Sequence, residues 1–266
     1  MRKLQRLVML HRISTFIILA IIYTTGAFSL NDLISIPPWI LGIALFILYL
    51  LSALIAIAAP DAWLQEPMKA LHEQCDPYPL LREMHSLPMD KLSPLLRQTM
   101  VINYCVALHS VGNFQLAYDT LSSLNIDKHA GMVPLNKAVY YNNLCAECRC
   151  LNLHEEAEIW YTKMMQIYND LPDSKPKRSM DPVVLFTRID HHYYAGEYEK
   201  ALELLGTVTP QNRIGEVDLH MQLGENYLAL GEKELARKNL QLVIEKGNKL
   251  YAVTKAKELL ARLDAE

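Results

Sequence analysis

The chain has 266 residues, 51% of them hydrophobic and 21% charged, with a formal net charge of −3. Ten Gly and 13 Pro are too few for a fibrous or disordered chain, and an acidic balance without a basic stripe lacks the footprint that phosphate backbones need, so no nucleic-acid partner is expected. The charge is unevenly spread: Asp32 is the only charged residue between positions 13 and 59, whereas residues 60–266 hold 22 of the 26 Lys and Arg and 28 of the 29 Asp and Glu.

Two apolar runs come first, at about 13–30 and 39–59. At ~1.5 Å per residue they make helices of roughly 27 and 31 Å, against a hydrocarbon core of ~30 Å, so both are expected to cross a membrane. The connector at 31–38 carries Asn-Asp and Pro-Pro, which favour a turn. Arg2, Lys3, Arg6 and Arg12 precede the first run and the connector has no cation, which predicts an N-terminus and a C-terminal domain on the cytoplasmic side. A cleaved signal peptide is the rival reading of the first run, and it leaves the same domain in the cytoplasm. The segment 60–97 reads as a helical connector, with short helices at 63–74 and 77–86 and Asp76 as a cap beside Pro77.

From residue 98 the pattern is helical throughout, and it repeats. Ala117, Ala157, Ala201 and Ala236 stand at intervals of 40, 44 and 35 residues, each followed four positions later by Leu121, Tyr161, Leu205 or Leu240. Five positions before each Ala stands Gly112, Asn152, Gly196 or Gly231, residue types that tolerate the left-handed backbone ending a helix. In the last unit Leu223, Gly224 and Tyr227 precede Gly231, Ala236 and Leu240. The pattern resembles the tetratricopeptide repeat, a ~34-residue helix–turn–helix unit. It departs from it where Val101, Tyr141, Leu185 and His220 replace the aromatic that opens the first helix. The resemblance implies an all-α fold in which residues 98–266 form a TPR-like α-solenoid behind a two-helix transmembrane hairpin at 1–59. Residues 251–263 read as the polar-faced helix that ends such a stack. Residues 171–182, with three Pro and Lys175, Lys177 and Arg178, read as an exposed loop.

Candidate chemistry is sparse. Cys145 and Cys148 have metal or redox spacing, but Cys150 lies about 140° round the same helix, so the three do not converge on one ion. Buried Cys acting as a small hydrophobe is the preferred reading. His192 and His220 read as core. No phosphate loop, nucleophile elbow or HExxH pair is present, so neither an enzyme nor a cofactor is expected. What remains is the groove that the resemblance assigns to the first helix of each pair. Carried over by register, it contains Ile102, Val106, His109, Asn142, Ala146, Arg149, Phe186, Asp190, Tyr193, Met221 and Glu225. Asn142, Arg149, Phe186, Asp190, Tyr193, Met221 and Glu225 are the expected partner-binding residues. The Lys and Asn with which the family clamps acidic C-terminal tails are replaced by Ile102 and Val106, which disfavours such tails. The expected function is a membrane-tethered cytoplasmic scaffold that binds a partner protein or peptide. A thiol- or metal-responsive regulator using Cys145 and Cys148, or an accessory subunit of a membrane complex, are the alternatives.

Overall fold

In the computed structural model, residues 63–89, 92, 94–124, 126 and 134–265 are described, with helical positions 13, 15, 17, 43, 46, 47 and 49–51 before them. The chain divides into two compact units, Met1–Glu66 and Pro67–Glu266. In the first, the expected spans at 13–30 and 39–59 lie outside the described residues except at those scattered positions. Among the described residues no helix is long and apolar enough to cross a membrane. The longest, Lys175–Tyr194, has 20 residues but carries Lys175, Lys177, Arg178, Asp181, Arg188 and Asp190. The expectation of an integral membrane protein with a cytoplasmic domain is corrected on that ground.

All regular structure among the described residues is helical. After helical residues 67–74 come α1 (Tyr78–His85), α2 (Pro94–Ser110), α3 (Phe114–Ser122), α4 (Pro134–Cys150), α5 (His154–Asp170), α6 (Lys175–Tyr194), α7 (Tyr198–Leu205), α8 (Arg213–Ala229), α9 (Lys233–Lys246) and α10 (Tyr251–Ala265). The helices pack closely within the sequential pairs α2/α3, α4/α5, α6/α7 and α8/α9, and α10 packs comparably against α9. One turn chemistry closes all four hairpins. Gly112, Asn152, Gly196 and Gly231 have φ of +82, +60, +75 and +77°. The next N–H then reaches back five residues, as in Asn113 N–H to the Leu108 carbonyl and Glu232 N–H to the Tyr227 carbonyl, both 2.9 Å. Ala117, Ala201 and Ala236 are fully buried and Ala157 is 2% exposed, where a small side chain lets the paired helices approach.

The pairs are unequal. The second helix has 9, 17, 8 and 14 residues in turn, so the chain does not keep the uniform length of a ~34-residue unit. The expected loop at 171–182 is another correction, because α6 begins at Lys175. Ser174 accepts the Lys177 N–H at 3.3 Å, and Pro176 sits in the first turn, where its missing donor is not needed. Farther back, Asp76 accepts the Tyr78 N–H at 3.1 Å and so starts α1.

The second unit also closes on itself. Lys249 N–H donates to the Cys75 carbonyl at 3.2 Å, Asn248 Nδ2 donates to the Gln74 carbonyl at 2.8 Å, and Lys249 Nζ meets Asp76 at 2.5 Å. Tyr251, the first residue of α10, packs edge-on against Phe114, the first of α3, with ring centroids 5.1 Å apart. The last helix therefore lies against the first hairpin instead of projecting from the end of the chain.

Candidate functional site

Beside that closure lies a solvent-open cavity of about 400 Å³ in the second unit. Four helices that open the hairpins supply most of its wall. From α2 come Val106 and His109; from α4, Asn142, Ala146, Glu147 and Arg149; from α6, Phe186, Thr187 and Asp190; from α8, Asp218, Met221, Gln222 and Glu225. Leu250, Tyr251, Ala252 and Lys255 from the α10 region complete it. Of the expected groove residues, Asn142, Arg149, Phe186, Asp190, Met221 and Glu225 thus share one space. Tyr193 does not line it and packs instead between the rings of Tyr194 and Tyr198, with centroids 5.3 and 5.6 Å away. Ile102 is 7% exposed and belongs to the core around Leu121 and Leu144.

The wall is wired by hydrogen bonds between hairpins. Arg149, 3% exposed, donates through Nη1 to the Thr187 carbonyl at 3.2 Å and lies 3.6 Å from Asp190. Its guanidinium also stands over the rings of Tyr161 and Tyr194, and Nη2 is 3.8 Å from Glu158. Thr187 Oγ1 donates to Asn142, and Gln222 Nε2 donates to Asp190 at 2.6 Å. Glu225 is paired with Lys255 at 2.5 Å, bridging α8 to α10. Burial opposes the Lys255 charge, but Glu225 overrides it and holds the ammonium pKa above its ordinary value.

The carboxyls are perturbed. Burial pushes Asp190 up to about 6 against the pull of Arg149, with Glu225 adding repulsion. Burial likewise pushes Asp218 up to about 6, with His109 opposing and Asp190 reinforcing the shift. Both keep solvent contact on the cavity side while protein atoms crowd around them, so cavity water screens the effect. His109 sits 3.0 Å from Glu147, and although enclosure favours its neutral form, Glu147, Asp218 and Asp190 together raise its pKa.

The thiols go to two places. Cys145 and Cys148 are fully buried beside Ala157, Tyr118, Trp160 and Tyr161, and burial pushes both up to about 12. They are packing groups held as neutral thiols, while Cys150 faces the cavity. Among the described residues no group of three or more His, Cys, Asp or Glu could hold a metal ion. His192 is a further correction: it is 23% exposed and bonds Glu197 at 2.6 Å across the hairpin turn instead of entering the core.

Sequence reasoning missed Glu147, Asp218, Gln222 and Lys255. Asp218 was within reach, being three residues before Met221 and seven before Glu225 on one helical stripe. Lys255 carried no local signal, because its place depends on the closure.

No family model, curated protein or solved structure matches the chain. Membership of the tetratricopeptide family, expected from the Gly–Ala spacing, is therefore corrected. Four like turns joining helices of unequal length are what that spacing encodes here.

Proposed function

We propose that the hairpins stack as an α-solenoid that is a non-catalytic binding module, holding an extended segment of a partner protein in the cavity of the second unit. One observation carries this reading: side chains from four separate hairpins and α10 converge on a single space, and several of their buried polar atoms lack a partner. At about 400 Å³ the space is at the lower end of the ~300–1,000 Å³ typical of ligand sites. It takes one or two side chains of an extended strand and has no room for a helix, because α10 occupies that place. The wall combines an apolar floor (Val106, Met221, Leu250) with a few placed polar groups, the composition that binding pockets favour. The thiol-responsive alternative is disfavoured by the burial of Cys145 and Cys148.

The test is a photo-crosslinking amino acid placed at Phe186 of the full chain and irradiated in cells, with the exposed Leu235 as control position. A reproducible adduct specific to position 186 is expected. Equal labelling from both positions, or none from 186, removes the reading.

A further inference from the structure

The cavity wall leaves buried polar atoms of both kinds without a partner, donors on Asn143 and Arg149 and acceptors on Glu147 and Gln222, and it carries more carboxylates than cations. Asp218 forms no hydrogen bond or ion pair among the described residues. Glu147 is 2% exposed; its Oε1 meets His109 at 3.0 Å, and its Oε2 is buried without a partner. Gln222, one helical turn after Asp218 on α8, commits Nε2 to Asp190 at 2.6 Å, which fixes its orientation and leaves Oε1 buried and unpartnered. A buried acceptor without a donor costs ~1–3 kcal/mol, more when it is charged, so a ligand that supplies donors recovers that cost.

The cations already present each stand beside another carboxylate, and Arg149 keeps Nε and Nη2 without a hydrogen bond. Lys255 is paired with Glu225, and Arg149 is divided between Asp190, the Thr187 carbonyl and Glu158. The wall thus sets Glu147, Asp190, Asp218 and Glu225 against Arg149, Lys255 and, when protonated, His109. Even with His109 charged, one carboxylate is left over, and with it neutral two are.

We propose that this cavity is a binding site for an alkylammonium group, with Asp218 as counter-ion, the orphaned oxygens of Glu147 and Gln222 as further acceptors, and the alkyl stem along Val106, Ile214 and Met221. The proposal rests on the binding-module reading and names the chemistry of what that module takes. A compact ammonium with three divergent donors suits acceptors that come from two different helices, whereas a guanidinium needs a coplanar pair. The same group is offered by a lysine side chain of a peptide and by a free diamine. His109 and Asp190 act on Asp218 and His109 meets Glu147, while Arg149 on α4, Gln222 and Glu225 on α8 and Lys255 on α10 line the same cavity. Lowering the pH protonates Asp190, Asp218 and His109, so it removes the attraction.

The test is calorimetric titration of the full chain at 150 mM salt with three probes: an acetylated, amidated Gly-Lys-Gly peptide, the same peptide acetylated on the lysine Nζ, and putrescine. The unmodified peptide or putrescine should bind at pH 7.5, at least tenfold more weakly at pH 5.5, and at least tenfold more weakly to Asp218→Asn with an unchanged circular dichroism spectrum. The Nζ-acetylated peptide should not bind. Peptide binding well above putrescine identifies a polypeptide source. Putrescine binding without peptide binding identifies a free amine, which keeps this inference and removes the partner-protein reading. Equal binding of the acetylated peptide, full binding by Asp218→Asn, or binding by neither amine overturns the inference. A surviving crosslink at position 186 then shows that the binding-module reading stands without it.

Discussion

Asp218 and Asp190 have folded-state pKa values pushed up to about 6, above the ordinary carboxyl range, so the folded chain binds more protons than the unfolded chain between about pH 4 and pH 6. Their contribution to stability is present below that window and is lost as pH rises through it. Replacing Asp218 by Asn is therefore expected to raise Tm relative to the parent at pH 7.5 and to leave it unchanged at pH 4, read by thermal melts at both values. A gain of equal size at both pH values contradicts the assignment. How much of this was legible in the sequence differs by residue. Asp190 and Glu225 could be found from helical register, because side chains at i, i+3 and i+4 share a face. Their shifted protonation could not, since it follows from enclosure by helices distant in the chain. Cys145 and Cys148 were readable as packing groups from their angular separation from Cys150. His192 was misread, because its partner Glu197 lies just past the helix end and draws the ring to the surface.

At the level of elements, the hairpin turns are the most legible feature. A residue tolerant of positive φ, followed five positions later by a buried Ala, marks all four. The turns nevertheless differ in what surrounds them. A Cβ built on Gly196 meets nothing within 4 Å, whereas one on Gly112 collides with the ring of Tyr251 at the start of α10. Gly196→Ala should cost only the left-handed backbone term, about 1–2 kcal/mol. Gly112→Ala should cost more by an over-packing term of about 1–3 kcal/mol, because α10 must shift off the first hairpin. Chemical denaturation of the two variants checks this, and equal losses would mean that α10 does not dock there. The α6 boundary was hidden for a different reason. Pro and Lys at 175–178 look like loop composition, yet the first turn of a helix is where Pro is tolerated, and only the Ser174 cap distinguishes the two.

Over the second unit as a whole, the contacts of Asn248 and Lys249 with Gln74–Asp76 join residues more than 170 positions apart. Local periodicity carries no trace of such pairing, so the sequence pointed to a groove with a polar end helix beyond it where the structure has a cleft that this helix lines. Closure also changes the expected unfolding. An open stack melts piecewise, with each unit touching only its neighbours, whereas joined ends couple the first and last helices. Asn248 has φ of +47° and donates Nδ2 to the Gln74 carbonyl, so Asn248→Gly removes the bond while easing the backbone. The variant should lose about 1 kcal/mol and show a smaller denaturant m-value as the transition broadens. An unchanged m-value would mean that the clasp does not couple the ends. The same clasp bears on how such a chain can change over generations. Arrays with free ends lengthen by tandem duplication, since each added copy needs only one new neighbour. Here an extra hairpin would carry Asn248 and Lys249 away from their partners on the far side, so the number of hairpins is fixed, and new specificity has to arise by exchanging side chains around the cavity.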